Sequence, residues 1–387
     1  MTKKRPFEEV YPVNDKYERF HGANTAFSLK RRKRGSGAPS YTFGKVDRIR
    51  NKLPGYSLVD YAFKDAAGTY NSGMNRGYYS WKSLGVAKKP DEIPRWEATP
   101  EEASKVVAKA ARFYGACSVG FTETDKRWFY SHLSDGRPIV FEDVEEGYID
   151  DEKVVIPNSH KWVVAIAVPM EFIENSYAPT TIEATSNMGY SRMHVTAGTV
   201  AEFIRGLGYH AIPTGNDTAL SVPIAAQAGL GHVGRNGRLI TWERGPLVRL
   251  CKVFTDLPLA QSPQADGGII EYCEVCKKCA KHCPSQSIPE GPRTWEGPTE
   301  ANANGAYKWY CNEETCFDYW HEVGTGCSIC FRVCAFTKKK GLSHDIVKWF
   351  IRNIPALNPF WVWTDDLLGY GKMSDPRKYW DLPYEHS

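Results

Sequence analysis

The clearest periodic segment starts at Thr99. Thr99 can cap a helix, Pro100 suits its first position, and Glu102 stands three residues on, as in a capping box. Ala103, Val106, Val107, Ala110 and Ala111 then place apolar groups on one face as far as Phe113. A short apolar stretch, CSVGF, follows at 117–121, and KWVVAIAVP at 161–169 reads as a buried strand. TAGTVAEFIRGLG at 196–208 predicts a helix stopped by glycine, and YHAIP a strand after it. SVPIAAQAGLG at 221–231 predicts another short helix, and RLIT and PLVRLCKVF predict strands between about 238 and 254. Strands alternating with helices point to an α/β core over 99–265, without saying which topology it takes.

The flanks differ. Residues 1–98 have irregular periodicity and turn signals such as GSGAPS at 35–40 and NSGMNRG at 71–77. This region is expected to wrap a larger body. Lys30, Arg31, Arg32, Lys33 and Arg34 form one basic run that reads as a solvated loop. From 266 to 340 the chain becomes cysteine-rich with short connections. The tail, 341–387, holds one expected helix, HDIVKWFIRNI, ahead of an aromatic, polar end that packs back on the body.

The chain has 387 residues, 42% hydrophobic and 24% charged, which suffices for a substantial core. No apolar run is long enough for a bilayer-spanning helix, and the first twenty residues lack the apolar stretch of a secretory signal. A net charge of +4 is too small to argue for a nucleic-acid partner.

Cysteine usage changes the picture most. Nine of eleven cysteines fall between 273 and 334, in a chain too long to need a disulfide framework. Cys273, Cys276, Cys279, Cys283 and Pro284 make C-x2-C-x2-C-x3-C-P, a run whose first three thiolates hold one [4Fe-4S] cluster while the fourth serves another. Cys316, Cys327, Cys330 and Cys334 repeat the pattern with its first spacing expanded. Ferredoxin-style crossing predicts one cluster on Cys273, Cys276, Cys279 and Cys334, and a second on Cys283, Cys316, Cys327 and Cys330. Structural zinc and disulfides are weaker alternatives, and Cys311 is the nearest rival to Cys316. Cys117 and Cys251 sit in apolar strand-like contexts and read as inert buried thiols. Two clusters make an electron conduit, and a plain carrier would not need so large a core beside it.

Several stretches together resemble the catalytic subunits of corrinoid-dependent reductive dehalogenases of the tetrachloroethene-reducing type. They are NDKYERF-x4-TAF, YSRM at 190–193, AIP-x2-ND-x3-SV leading into AGLG-x3-RNGRLIT, and GP-x-VRL-x-KVFTD-x-PL leading into the first cysteine run and GPRTWEG. CFDYW and WTDDLLGYG extend the likeness into the tail. The resemblance implies a nitroreductase-like core at 99–265 binding a base-off corrinoid, and a ferredoxin-like domain at 266–340. It further implies replacement of halogen by hydrogen in small chlorinated alkanes or alkenes. The proton-donating tyrosine falls on Tyr190, the active-site arginine on Arg249 and the polar pocket asparagine on Asn216. Ser186, Phe27 and Trp320 fall near positions that line the pocket or the cofactor. Without the resemblance, these residues read as a packed tyrosine, a structural arginine, a helix cap and core aromatics.

The family likeness also implies a place on the outer face of the cytoplasmic membrane, held peripherally by a small anchor protein. A quinol-linked or other low-potential donor would supply electrons, and a homodimer is possible. Arg31-Arg32 lacks the apolar segment of a twin-arginine signal, so the signal is expected to be absent from the given chain. Ala335 replaces the proline expected after the last cluster cysteine. The enzyme rival is an epoxyqueuosine-reductase-like protein acting on tRNA; the weak charge balance and the Tyr190/Arg249 pair speak against it.

Overall fold

The computed structural model describes residues 4–34, 44–67, 70, 79–87 and 89–383; the loops expected at 35–40 and 71–77 lie outside these. The N-terminal region contributes four helices, α1 (Phe7–Val10), α2 (Ala26–Arg34), α3 (Lys45–Arg50) and α4 (Leu58–Ala67). Helix α5 (Pro100–Phe113) starts as its sequence predicts, with the Thr99 hydroxyl accepting from the Glu102 N–H at 3.2 Å. There follow β1 (Ser118–Glu123), β2 (Ile139–Glu142), β3 (Tyr148–Ile149), β4 (Val154–Pro157), β5 (Trp162–Pro169), α6 (Phe172–Asn175) and α7 (Thr185–Gly206). Next come β6 (Ala211–Thr214), α8 (Ser221–Gln227), β7 (His232–Val233), β8 (Leu239–Ile240) and β9 (Val248–Thr255). The cysteine-rich region carries α9 (Ile269–Cys276), α10 (Lys278–Lys281), α11 (Glu313–Val323) and α12 (Ile329–Arg332). The tail adds α13 (Leu342–Asn353) and α14 (Asn358–Leu367), so a second helix follows the one expected.

The main sheet has the order β1-β5-β9-β6, and each neighbouring pair is antiparallel. The alternation of strands and helices therefore builds a mixed α+β arrangement rather than a stack of parallel βαβ units. Period-two patterning then sorts the side chains. Val164, Ile166, Val168, Cys251 and Val253 face α5 and α7, meeting Val107, Ala111, Met193, Ala197 and Val200. Val163, Ala165, Val248, Leu250 and Phe254 face the opposite way, onto Ile224 and Ala225 of α8 and Phe7 and Tyr11 from the N-terminus. Burying each of the valine, leucine and isoleucine side chains among these contributes roughly 1.5–3 kcal/mol.

Two sequence readings need correction. Helix α7 begins eleven residues earlier than expected, because GYSRMHV carries no obvious apolar stripe; it is nonetheless packed between sheet and α4. Its predicted end is right: Gly208 takes φ +91°, and a Cβ there would meet the Arg95 Cα at 3.0 Å. The basic run at 30–34 is the last part of α2, not a loop. Helical spacing sets Lys30 and Lys33 on one side, where Lys30 Nζ lies 2.7 Å from Asp318 and Lys33 Nζ 2.8 Å from Glu314, both on α11. An acidic partner almost three hundred residues away explains why the local sequence looked solvated.

Candidate functional site

Tyr190 lies in the second turn of α7 and Arg249 near the start of β9, on the sheet face that α7 covers. Gly189 lets them meet. A Cβ at that position would come within 2.7 Å of the Arg249 Cγ, so the bare backbone admits the arginine stem. The guanidinium carbon then sits 4.8 Å from the centre of the Tyr190 ring. Arg249 also lies over Phe331, at 5.8 Å, and Phe331 directly follows Cys330. Its Nε is buried and, among the described residues, has no hydrogen-bond partner.

Asn216 reaches the same place from the loop after β6. Its amide nitrogen donates to the Tyr190 hydroxyl at 3.5 Å, and the Tyr130 hydroxyl donates to its carbonyl at 3.1 Å. His194, one helical turn beyond Tyr190, donates from Nδ1 to the Tyr190 carbonyl at 2.8 Å and stacks on Tyr79. The structure thus brings Tyr190, Arg249 and Asn216 together. Ser186 lies one turn earlier on α7, buried, donating to Glu183 at 2.8 Å. Phe27 and Trp320 meet at the α2–α11 contact, where the Phe27 ring lies 4.5 Å from that of Phe317 and 5.8 Å from that of Trp320.

A buried charge cluster that the sequence reading missed lies behind the arginine. Glu183 is fully buried beside Ser186 and Ser328, and burial pushes its pKa up against the pull of Lys64 and Arg249. Burial lowers the pKa of Lys64 on α4, which also donates to Thr325 next to the second cysteine group. Lys252 was missed too, although a lysine inside PLVRLCKVF is a signal in itself, since lysine rarely enters a buried strand.

The eight cysteines of the two runs gather in two neighbourhoods. Cys279 lies within electrostatic reach of Cys273, Cys276 and Cys334. Cys327 lies within reach of Cys316 and Cys283, and Cys330 within reach of Cys327 and Cys316. Cys279 and Cys330 sense each other across the gap. Burial pushes Cys276 and Cys316 up to about 11 and Cys327 and Cys334 to about 12, so these thiols need a cationic ligand to ionise. None of the eleven cysteines is paired in a disulfide. Among the described residues no three His, Cys, Asp or Glu side chains converge tightly enough for a single metal ion. Cys311 is buried, with its thiol 3.8 Å from the Arg235 carbonyl, while Cys316 faces Cys283. Cys251 is buried with its thiol pushed up to about 12, and Cys117 donates to the Ala167 carbonyl at 3.2 Å.

Near this site a cavity of about 220 Å³ opens between α8 and the 301–313 segment. Leu220, Val222, Tyr17 and Phe20 give it apolar walls, and Arg238, Lys308 and Glu313 a charged end. Leu220 and Val222 flank Ser221, whose hydroxyl donates to Asn216 at 3.1 Å.

Comparison with known proteins gives this arrangement its class. The reductive dehalogenase subunit family matches residues 15–136 and 129–259, and the chain belongs to that family. It is 34% identical to the tetrachloroethene reductive dehalogenase of Sulfurospirillum multivorans over 95% of this chain and 83% of that protein. It is 28% identical to the trichloroethene reductive dehalogenase of Dehalococcoides mccartyi over 75% of this chain and 58% of that one. Among solved structures, the catabolic reductive dehalogenase NpRdhA in complex with 3-bromo-4-hydroxybenzoic acid superposes with a TM-score of 0.72 at 18% identity. A reductive dehalogenase studied for B12-dependent dehalogenation gives 0.71 at the same identity. Each covers 96% of this chain, which spans about half the length of those structures. An epoxyqueuosine reductase from Lactococcus garvieae is 30% identical over only 31% of this chain.

Proposed function

We propose that the protein is a reductive dehalogenase that replaces halogen by hydrogen in a small organohalide, R–X + 2e⁻ + H⁺ giving R–H + X⁻. The observation that carries this is the convergence of Tyr190, Arg249 and Asn216 beside Phe331 and Cys330, where electron supply and proton supply meet. The reading takes the sheet with α7 and α8 as a nitroreductase-like corrinoid-binding core and the cysteine region as a ferredoxin-like domain with two [4Fe-4S] clusters. The donor set supports the clusters: the thiols fall into two groups, Cys279 with Cys273, Cys276 and Cys334, and Cys327 and Cys330 with Cys316 and Cys283, each four thiolates as a cube takes. The cavity beside Ser221 supports the corrinoid, since its apolar walls and charged end suit an amphipathic arm of such a group. Ser186, Phe27 and Trp320 are carried as cofactor or pocket residues on the family likeness.

A corrinoid, when bound, would supply low-valent cobalt as the reductant of the carbon–halogen bond. The chain's own residues handle the proton. The Tyr190 O–H is the proton donor of this reading. The Arg249 cation over its ring favours the phenolate left when that proton goes to carbon. Asn216 donates to the phenol oxygen and steadies the same charge. Two chains of support extend this reading beyond the site: a small membrane anchor with a quinol-linked or other low-potential donor, and a homodimer, both resting on family membership. The tRNA-reductase alternative matches only a third of the chain and lacks a strongly basic surface balance.

The test is anaerobic halide release by corrinoid- and cluster-reconstituted protein with reduced viologen, over chloromethanes, chloroethanes and chloroethenes. Chloride matched by the hydrogen-substituted product supports the proposal, and Tyr190→Phe should cut turnover by on the order of 10²–10⁴. Fully loaded protein that releases no halide across the panel would overturn it.

A further inference from the structure

The hydrogen bonds behind Asn216 reach farther than the three residues assigned to the chemistry. Lys252 lies on β9 three residues after Arg249, so its side chain emerges on the opposite face of the sheet, where it is 1% exposed. Its ammonium donates to the Gly215 carbonyl, to the Ala219 carbonyl at 3.0 Å and to the Ser221 hydroxyl at 3.1 Å. Three N–H groups thus meet three acceptors. With the Ser221 oxygen accepting from Lys252, its own O–H turns to the Asn216 Oδ1 at 3.1 Å, closer than the Gly215 carbonyl at 3.4 Å. That contact orients the amide, oxygen toward Ser221 and nitrogen toward Tyr190. Gly215 is further tied by its N–H to Asp217 at 2.9 Å, so the loop has little freedom to let Asn216 turn over.

We propose that Lys252, acting through Ser221, is a positioning residue that fixes the Asn216 amide so that the Tyr190 oxygen accepts from it and the Tyr190 O–H points into the pocket. A reversed amide would offer its oxygen to the phenol and draw the proton away from substrate. The inference rests on the reading of Tyr190 as proton donor. Burial lowers the pKa of Lys252 to about 8, against the opposing pull of Asp217 and Cys251. Tyr79, Tyr130 and Tyr190 share the surroundings of Asp217, and the first two are pushed up by burial, which keeps them neutral. Below that pH the ammonium serves all three acceptors. Above it the amine has two N–H groups for three acceptors, and the hold on Ser221 weakens.

The experiment is kcat and KM against pH for the holoenzyme and for Ser221→Ala, Lys252→Met, Lys252→Arg and Tyr190→Phe, on the panel substrate turned over fastest. Visible spectra and melting curves confirm loading and folding of each variant. Wild-type kcat should fall as pH rises through about 8, and Lys252→Arg, which keeps its charge, should move that fall upward. Ser221→Ala and Lys252→Met should lose on the order of tenfold in kcat with little change in KM, and Lys252→Met should lose the fall near pH 8. Wild-type turnover in Tyr190→Phe would remove the underlying reading. An inactive Tyr190→Phe beside Ser221→Ala with wild-type kcat and pH profile would overturn the relay and leave that reading standing. If Lys252→Met fails to fold, Ser221→Ala and Lys252→Arg decide the matter.

Discussion

The sheet region and the cysteine region place their functional groups by different means. Around the sheet, two apolar layers fix α7, α8 and β9, and Tyr190, Arg249 and Asn216 are set by packing and hydrogen bonds from three separate stretches of chain. In the cysteine region three of the four helices are short, eight residues in α9 and four each in α10 and α12 against eleven in α11, and the apolar clusters around them are smaller than those of the sheet. Such short segments bury little surface of their own, and under the two-cluster proposal ligation supplies much of their order. One region should therefore keep its fold when its chemistry is removed. The other should lose both together.

Cys279→Ser gives the largest expected effect and tests that contrast directly. Cys279 stands between the two thiol groups, in reach of both Cys273 and Cys330. Losing it should remove one cluster, lowering bound iron by about half and abolishing turnover, while far-ultraviolet circular dichroism keeps the signal of the sheet and α7. Full iron and full turnover in this variant would break the assignment of the first cysteine group.

A smaller effect, confined to the sheet region, is expected from Gly189→Ala. The added methyl would meet the Arg249 Cγ at 2.7 Å, and helix α7 cannot retreat from the sheet behind it. The arginine must shift, moving the guanidinium off the Tyr190 ring. Turnover should fall by on the order of 10–100-fold, with melting displaced only by the roughly 1–3 kcal/mol of an overpacked contact. A variant with wild-type kcat would show that the 4.8 Å contact is dispensable.

The same contrast decides what could be read from the sequence. Thiol spacing is local, so the cysteine groups were legible in the letters, as were α5 with its Thr99 cap and the buried strand β5. The meeting of Tyr190, Arg249 and Asn216 was not, except through family likeness, because these are ordinary residues whose partners lie far off in sequence. Lys252 meets Gly215 and Ser221, and Lys30 meets Asp318, across separations that no window of periodicity spans. The start of α7 was hidden for a related reason. Gly189 weakens helix propensity, and its purpose, admitting the arginine stem, appears only when β9 lies beneath it.

The smallest effect is on stability, and acid should expose it in the sheet region. His160, just before β5, is 2% exposed with its Nε2 unpartnered among the described residues, and burial lowers its pKa to about 4. The unfolded chain takes up this proton below about 6.5 and the folded chain does not until about 4, so the stability from a neutral His160 is lost as pH falls across that window. At pH 5 the cost relative to pH 7 should be ~2 kcal/mol. His160→Gln has no proton to take up, so the stability difference between wild type and variant, measured by denaturant unfolding at the two pH values, should shift by that amount against wild type. Acid loss of the clusters affects both proteins alike and cancels in the difference. A difference that does not change with pH would mean that the unfolded and folded chains hold this proton equally, and that the packing before β5 opens to water.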